Sequence, residues 1–174
     1  YFYYYPYYMI TTQRLRIRPF NLADAPFILK LLNSEGWLKY IGDRDVRTEE
    51  AARTYLKERL MASYDEHGFG FYAVELLTSQ IPIGMFGFAQ RKFLDKPDLG
   101  FALLPAYYGQ GYAVEAAKAV LTYGREQLQL QELEAFTLPT NQSSIRLLER
   151  VGFHAVGPFF LPNDEEELLL MRNY

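Results

Sequence analysis

Hydrophobic and polar residues alternate along the chain with two different periods, and these periods predict where strands and helices lie. Residues 14–18 alternate charged and aliphatic side chains, which is the pattern of a half-exposed strand. Two stretches with helical periodicity follow, at 21–32 and at about 48–64, and each begins with a residue that caps helices well, Asn21 and Thr48. The residues between them, 37–47, are expected to form a loop.

The second half of the chain predicts most of the sheet. Residues 69–77 and 81–90 are rich in β-forming residues and are joined by a short polar turn, so they are expected to form a hairpin. Residues 97–104 are apolar almost throughout, which predicts a central strand buried on both faces. The remaining elements are expected to be a helix at 111–128, a strand at 133–138, a helix at 141–151 and two strands at 153–159 and 166–172.

The resulting order, β-α-α-β-β-β-α-β-α-β-β, predicts one α/β domain over residues 9–174. The strand at 97–104, the helix after it and the strand at 133–138 should form a right-handed unit with parallel strands, while the hairpins around them make the sheet mixed and mostly antiparallel. Residues 1–8 are almost entirely tyrosine and phenylalanine and precede Met9, so we expect them to be a tag or other appended sequence. A native aromatic arm is the alternative.

Composition narrows the classes of function. The 174 residues carry a formal net charge of -3, which gives no electrostatic reason to expect a nucleic-acid partner, and no run is long and apolar enough to span a membrane. The absence of cysteine excludes disulfides, thiolate metal sites and a cysteine nucleophile. The two histidines are too few for a histidine metal site, so no metal is expected. An enzyme without disulfides fits a reducing compartment, and a cytoplasmic location is therefore expected.

The first segment with candidate chemistry is the turn between the strand at 97–104 and the helix after it. Its sequence is Tyr108-Gly109-Gln110-Gly111-Tyr112-Ala113. A helix start exposes unpaired N–H groups with partial positive charge, and glycines allow close backbone approach, so the turn predicts a site for phosphate or pyrophosphate. The P-loop pattern fails because no Lys-Ser or Lys-Thr follows Gly111, and the dinucleotide pattern fails because Val114 occupies its third glycine position.

A second segment, residues 141–153, gives the turn its context. It contains Asn-x-x-Ser followed by Glu-Arg-x-Gly-Phe, and the turn continues as Gly-x-Gly-Tyr-Ala-x-Glu-Ala. Together these motifs resemble the GCN5-related N-acetyltransferase (GNAT) superfamily. The opening at 12–19 and the segment Asp98-Leu99-Gly100-Phe101 are similar to its bacterial branch that acetylates the N-terminal residues of ribosomal proteins. The resemblance covers nearly all of residues 10–174.

This resemblance implies a fold and a cofactor site. The sheet is expected to splay into a V between the strands at 97–104 and 133–138, with acetyl-CoA in the opening. The pyrophosphate is expected on the turn and the pantetheine along the strand before it. The expected cofactor contacts are therefore Phe101, Ala102 and Leu103 on the strand, and Tyr108, Gly109, Gln110, Gly111, Tyr112 and Ala113 on the turn. Family members often have Gln or Arg where this chain has Tyr108, so one cationic contact to phosphate is missing. The family habit implies a monomer or a homodimer.

The reaction itself requires proton-transfer groups. Direct attack on a thioester needs a neutral amine, so a general base is expected to accept the proton of the ammonium group. For the base we favour Asp98, with Glu75 as the alternative, although either acid can also be an exposed charge at a strand edge. Glu115 is expected to be a structural partner near the start of its helix. Arg16, Arg18 and Arg91 are expected to lie on solvated faces.

The acid that protonates the departing thiolate is implied by the resemblance to the family and not by the hydrophobic pattern of the chain. Many members use a tyrosine at the position of Leu148, which this chain therefore lacks. The ribosomal-protein branch implies Ser144 instead, with Asn141 lining the cofactor site and contributing to catalysis. Both residues also fit a local role, because asparagine caps helices and serine is common in their first turn.

The acceptor stays open at this point. A protein or peptide N-terminus and a small amine, such as a polyamine, an amino acid or an aminoglycoside, are both compatible with the chain. The loops at 37–47 and 158–167 are expected to shape the acceptor site, with Trp37 and Tyr107 as aromatic walls or simple packing residues. A different class, a CoA-binding sensor or structural module without turnover, is the alternative to an enzyme.

Overall fold

The fold is a mixed eight-stranded sheet with helices packed on both faces. The computed structural model describes residues 10–174, so the expected tag at 1–8 lies outside the described residues. The strands are β1 (Ile10–Thr11), β2 (Leu15–Pro19), β3 (Phe71–Leu76), β4 (Pro82–Ala89), β5 (Asp98–Leu103), β6 (Glu134–Thr137), β7 (His154–Phe159) and β8 (Leu168–Arg172). Their spatial order is β1-β2-β3-β4-β5-β6-β8-β7, and every neighbouring pair is antiparallel except β5 with β6.

Within residues 10–174, six α-helices connect these strands. They are α1 (Ala25–Leu32), α2 (Glu35–Tyr40), α3 (Glu49–Tyr55), α4 (Ala62–His67), α5 (Tyr112–Gln127) and α6 (Gln142–Arg150), and a π-helical stretch at Leu56–Met61 joins α3 to α4. The predicted caps are confirmed. Asn21 accepts a hydrogen bond from the N–H of Ala23 in a short 3-10 turn that leads into α1, and Thr48 accepts one from Ala51 in α3. None of the helices within residues 10–174 is both long and apolar enough to cross a bilayer.

Two separate hydrophobic clusters fill the two faces of the sheet. Residues of α5 and α6, among them Ala116, Ala117 and Leu148, pack on one face. Residues of α1 and α3 pack on the other, with Ile28 and Ala52 fully buried there. The small residues of α5 let the helix approach the sheet closely, and Gly124 lies so near the ring of Phe88 that a side chain there would collide with it. The sheet is therefore a middle layer whose strand ends are free to form a site.

The prediction for residues 37–47 was partly wrong, because the structure has a short helix, α2, where a loop was expected. Its six residues include Gly36, and so short a helix has little intrinsic stability in water. Tertiary packing stabilises it instead, since the side chain of Trp37 is buried in the cluster on the α1 face. Helical periodicity cannot reveal an element of this length.

The prediction that Arg16 and Arg18 are solvated was also wrong. Both guanidinium groups pair with Glu75, which is only 2% exposed, and Arg18 forms a second, bidentate pair with Asp24 at 2.8 and 2.9 Å. Asp24 also closes the capping turn by accepting from the N–H of Asn21. The polar face of β2 is therefore covered, and its charges join β2 and β3 to the start of the first helix.

Candidate active site

The cleft is formed where β5 and β6 separate. These parallel strands pair only at Asp98 and Glu134, near their N-terminal ends, and diverge beyond that point. The predicted V-shaped sheet is thereby confirmed. The centre of β5 is not buried on both faces as expected, because Gly100, Phe101 and Ala102 are only half-buried along the opening.

The divergence leaves backbone groups of β5 without a strand partner. The N–H of Leu104 donates to the carbonyl of Ile83 in β4, and the register between β4 and β5 is regular. Because successive residues of a strand point their polar groups to opposite edges, Ala102 faces β4, while Phe101 and Leu103 face the opening. These two residues present hydrogen-bonding groups to an extended ligand, and Ala102 contributes only its surface.

The turn after β5 has the geometry of an anion site. Gly109 and Gly111 have φ values of 71° and 82°, a left-handed conformation that other residues rarely adopt. No side chain caps the start of α5, and the first backbone bond of the helix runs from Glu115 to Gly111. The N–H groups of Tyr112, Ala113 and Val114 therefore lack an intrahelical partner at the positive end of the helix dipole. This arrangement fits a phosphate or pyrophosphate group.

Thr12 and Arg14, in the segment between β1 and β2, hold the turn and the start of α5 in place. Glu115 accepts from the hydroxyl of Thr12 at 2.6 Å and from the guanidinium of Arg14 at 2.8 Å, which confirms its expected structural role. Arg14 also donates to the carbonyl of Gln110 at 2.9 Å and lies over the ring of Tyr112. Partial burial of Glu115 works against ionisation, but these hydrogen bonds hold the pKa of its carboxyl below the usual value. Sequence reasoning missed Arg14, because only the folded chain brings it to the turn.

One continuous cleft of about 2190 Å³ joins these features. Ligand sites commonly measure about 300–1,000 Å³, so there is room here for a large cofactor and a second substrate. It is lined by every predicted site residue except Gln110, namely Asp98, Phe101, Ala102, Leu103, Tyr108, Gly109, Gly111, Tyr112, Ala113, Asn141 and Ser144. The side chain of Gln110 instead donates to the carbonyl of Ala106. Both loops predicted for the acceptor site also contribute lining residues, including Trp37, Arg44, Asp164 and Glu166.

Asp98 lies at the closed end of the V and is 2% exposed. Its Oδ1 accepts from Nε of Arg91 at 2.8 Å, so Arg91 is not the solvated charge that the sequence suggested. Burial raises the pKa of the Asp98 carboxyl; Arg91 opposes this effect and the nearby Glu134 adds to it. A carboxylate with a raised pKa, on the wall of a cleft, is suited to accept a proton.

Glu134, on the facing strand, was not identified from the sequence. It is 1% exposed, its Oε1 pairs with Arg172 at 2.9 Å, and its Oε2 has no hydrogen-bond partner within residues 10–174. The available signal was a single acid in a short strand that is otherwise apolar apart from Thr137. Asp98 and Glu134 thus lie at paired positions of β5 and β6, each with an arginine partner, and of the two only Asp98 lines the cleft.

The start of α6 forms another wall. The side-chain oxygen of Asn141 accepts from the N–H of Ser144 at 3.3 Å and so caps the helix. Ser144 is half-buried, and Leu148 is 1% exposed within the core. The other candidate base, Glu75, is held by two arginines and does not contribute to the wall of the cleft. Residues 10–174 contain no group of three or more His, Asp or Glu side chains placed to bind a metal ion together.

Known proteins resemble the chain over most of its length. The family model for the acetyltransferase (GNAT) domain matches residues 14–154. The chain is 29% identical over 150 residues to YnaD of Bacillus subtilis (strain 168), described as an uncharacterized N-acetyltransferase, which covers 86% of this chain and 85% of that protein. A GNAT-family acetyltransferase structure from Bacillus anthracis matches with a TM-score of 0.78 and 27% identity, over 94% of this chain and 96% of that one. RimL, a ribosomal L7/L12 alpha-N-protein acetyltransferase in complex with coenzyme A, matches in fold with a TM-score of 0.77 at 17% identity, over 94% and 96%.

Proposed function

Because the chain belongs to the GNAT family of acetyltransferases, we propose that it transfers the acetyl group of acetyl-CoA to a primary amine within a ternary complex. The observation that carries the proposal is the uncapped start of α5, with its two left-handed glycines, on the wall of a V-shaped cleft. The thioester supplies an activated acetyl group and a thiol leaving group. The residues of the chain bind the donor, orient the acceptor and move protons.

Two backbone segments are proposed to bind the donor. The N–H groups between Gly109 and Val114 hold the pyrophosphate, and the outward groups of Phe101 and Leu103 pair with the amides of the pantetheine arm. A strand N–H in this position can also donate to the oxyanion that forms when the amine attacks. The coenzyme A complex of RimL, a protein of similar fold, supports this choice of donor.

Asp98 is proposed as the general base. The amine reaches the cleft as an ammonium ion, and Asp98, directly or through a water molecule, accepts its proton so that the neutral nitrogen can attack. The raised pKa favours this role, because a carboxylate that holds a proton more tightly is a stronger base near neutral pH. Arg91 favours the ionised form of the carboxyl and so opposes the effect of burial on its pKa.

Ser144 is proposed as the acid: its hydroxyl gives a proton to the sulfur as the C–S bond breaks and takes up the proton that the attacking nitrogen loses in the same step. It is half-buried on the cleft wall, in the first turn of α6, where its own N–H is already bonded to Asn141. Its hydroxyl is thus carried by a rigid backbone segment. Asn141 is proposed to act by fixing this helix start at the edge of the cofactor site.

The acceptor is proposed to be either a protein or peptide N-terminus or a small amine. RimL is described as a ribosomal alpha-N-protein acetyltransferase, and its similar fold supports the first option. The acids of the acceptor loops, Asp164 and Glu166, are exposed and line the cleft, which suits a cationic amine of either kind.

Two measurements test the proposal. Saturating CoA should raise the melting temperature, because a ligand at about 100 times its Kd stabilises the folded state by about 2.7 kcal/mol. Thiol release from acetyl-CoA should then depend on the amine, across a panel of N-terminal peptides and small amines. CoA binding without amine-dependent thiol release would favour the non-catalytic CoA-binding module, and no binding at all would overturn both assignments.

A further inference from the structure

The side chain of Tyr108 leaves the cofactor turn and lies against α2. A methyl group placed on Gly36 would collide with the hydroxyl oxygen of Tyr108 and lie 3.4 Å from its Cζ. The ring therefore fills the space that a side chain at position 36 would need. Burial raises the pKa of the Tyr108 hydroxyl, and the neighbouring Tyr40 and Glu35, both on α2, add to the effect.

The backbone of Tyr108 is not free to bind a cofactor. Its N–H donates to the carbonyl of Pro105 at 3.1 Å, and the left-handed turn begins only at the next residue, Gly109. This position was predicted to contact the cofactor, but its N–H is already bonded and the hydroxyl end of its ring lies against Gly36. The cofactor cradle thus begins one residue later, and the side chain of Tyr108 is available for another role.

Helix α2 forms part of the acceptor half of the cleft. Gly36, Trp37 and Tyr40 all line it, followed by Ile41 and Arg44. Trp37 is 5% exposed, and its indole N–H has no hydrogen-bond partner within residues 10–174. An unpaired buried donor costs about 1–3 kcal/mol, so α2 is a segment for which a small displacement can be favourable.

We propose that Tyr108 is a positioning residue for the acceptor, which couples the conformation of the cofactor turn to helix α2. The inference rests on the proposed function. When the turn holds a pyrophosphate, the backbone from Gly109 onward is fixed, and so is the ring that precedes it. The hydroxyl end of the ring lies against Gly36 although 51% of Tyr108 stays exposed, so a shift of the ring toward α2 displaces that helix, and the acceptor half takes its binding shape with the cofactor in place.

The chain contains a reporter for this coupling. Trp37 is its only tryptophan and follows Gly36 directly in α2, so tryptophan fluorescence reports on this helix. Saturating CoA should shift or quench the emission of the wild-type protein. Tyr108→Ala should still bind CoA, with a Kd from calorimetry within about threefold of the wild-type value, because the backbone cradle is intact. At least half of the change in tryptophan emission on CoA binding should nevertheless be lost in this variant. Tyr108→Phe keeps the ring but removes the hydroxyl oxygen that makes the nearest approach to Gly36, so its response should fall between those of the wild type and Tyr108→Ala.

Steady-state kinetics provide a second readout with any amine that supports thiol release. Tyr108→Ala should raise the KM for the amine by about tenfold while the KM for acetyl-CoA changes less than about threefold. An undiminished emission change in Tyr108→Ala, or no change in wild type when CoA is bound, would overturn the coupling and leave the proposed function intact. A tenfold loss of CoA affinity in Tyr108→Ala would instead make Tyr108 a cofactor ligand. If wild-type protein does not bind CoA, the proposed function fails and the coupling with it.

Discussion

The phosphate-binding role of the turn can be tested by a single charge at Gly109. Its φ of 71° is one that Asn and Asp tolerate better than other residues with a side chain, and no atom lies within 4 Å of a Cβ placed there. Gly109→Asn and Gly109→Asp should therefore fold alike and differ only by one negative charge. Gly111 is a poorer choice, because Nη2 of Arg14 lies 3.3 Å from the corresponding Cβ and would neutralise an introduced carboxylate.

The magnitude follows from Coulomb's law. One carboxylate at about 6 Å from one phosphate charge is unfavourable by about 0.7 kcal/mol in bulk water and by about 2.8 kcal/mol at an effective dielectric constant of about 20. The turn is exposed on one side, so an intermediate value of about 1.4 kcal/mol is expected, which corresponds to tenfold weaker binding. Added salt should reduce the difference, because it screens charges near the surface.

Isothermal titration of CoA into both variants, at low and at high salt, measures this difference. The control is the same pair of substitutions at Gly68, which ends α4 with a φ of 77° and also has no atom within 4 Å of its Cβ. Gly68 does not line the cleft, so Gly68→Asp and Gly68→Asn should bind CoA equally. Equal CoA affinity of the two Gly109 variants at low salt, with equal melting temperatures, would refute the assignment of the turn to the pyrophosphate.

Three other substitutions test individual side chains. Asp98→Asn should lower kcat/KM for the amine by about 10²–10⁴-fold with CoA affinity retained. The wild-type kcat/KM should rise with pH through a pKa above the usual aspartate range, since burial raises that pKa and only the carboxylate accepts a proton. A pH profile without this rise would contradict the role of Asp98. Ser144→Ala should lower kcat by about tenfold or more, whereas Ser143→Ala, also on the cleft wall, should not, and equal rates would remove Ser144 as the acid. Glu75→Gln should lower the free energy of unfolding in a denaturant titration by about 3 kcal/mol, because it leaves Arg16 without its buried anion and removes one of the two carboxylates that pair with Arg18. A loss under about 1 kcal/mol would show that the network is dispensable.

Local chemistry made much of the fold predictable. The order of β2 to β8 and of the longer helices follows from hydrophobic periodicity, whereas the two-residue strand β1 was not predicted. The caps at Asn21 and Thr48 are decided by neighbouring residues alone. The turn was predictable for the same reason, since Gly109 and Gly111 permit a left-handed backbone directly before a helix. The motif at residues 141–153 then identified the family.

Contacts between distant parts of the chain were not predictable in this way. Alternation along β2 predicted a strand but could not show that Glu75, from another strand, neutralises Arg16 and Arg18. Arg14 reaches the cofactor turn only because β2 and the start of α5 are neighbours in the fold. Likewise, Tyr108 looked like a departure from the motif, and its partner Gly36 emerges only in three dimensions.

The central claim is that the cleft transfers an acetyl group from acetyl-CoA to an amine. Acetyl-CoA labelled in its acetyl group, incubated with the protein and an amine from the panel, tests this directly by mass spectrometry of the products. We predict that the label appears in an amide on the acceptor, in equal amount to the free CoA thiol released. Recovery of the label only as free acetate, or only as intact acetyl-CoA across the whole panel, would contradict it.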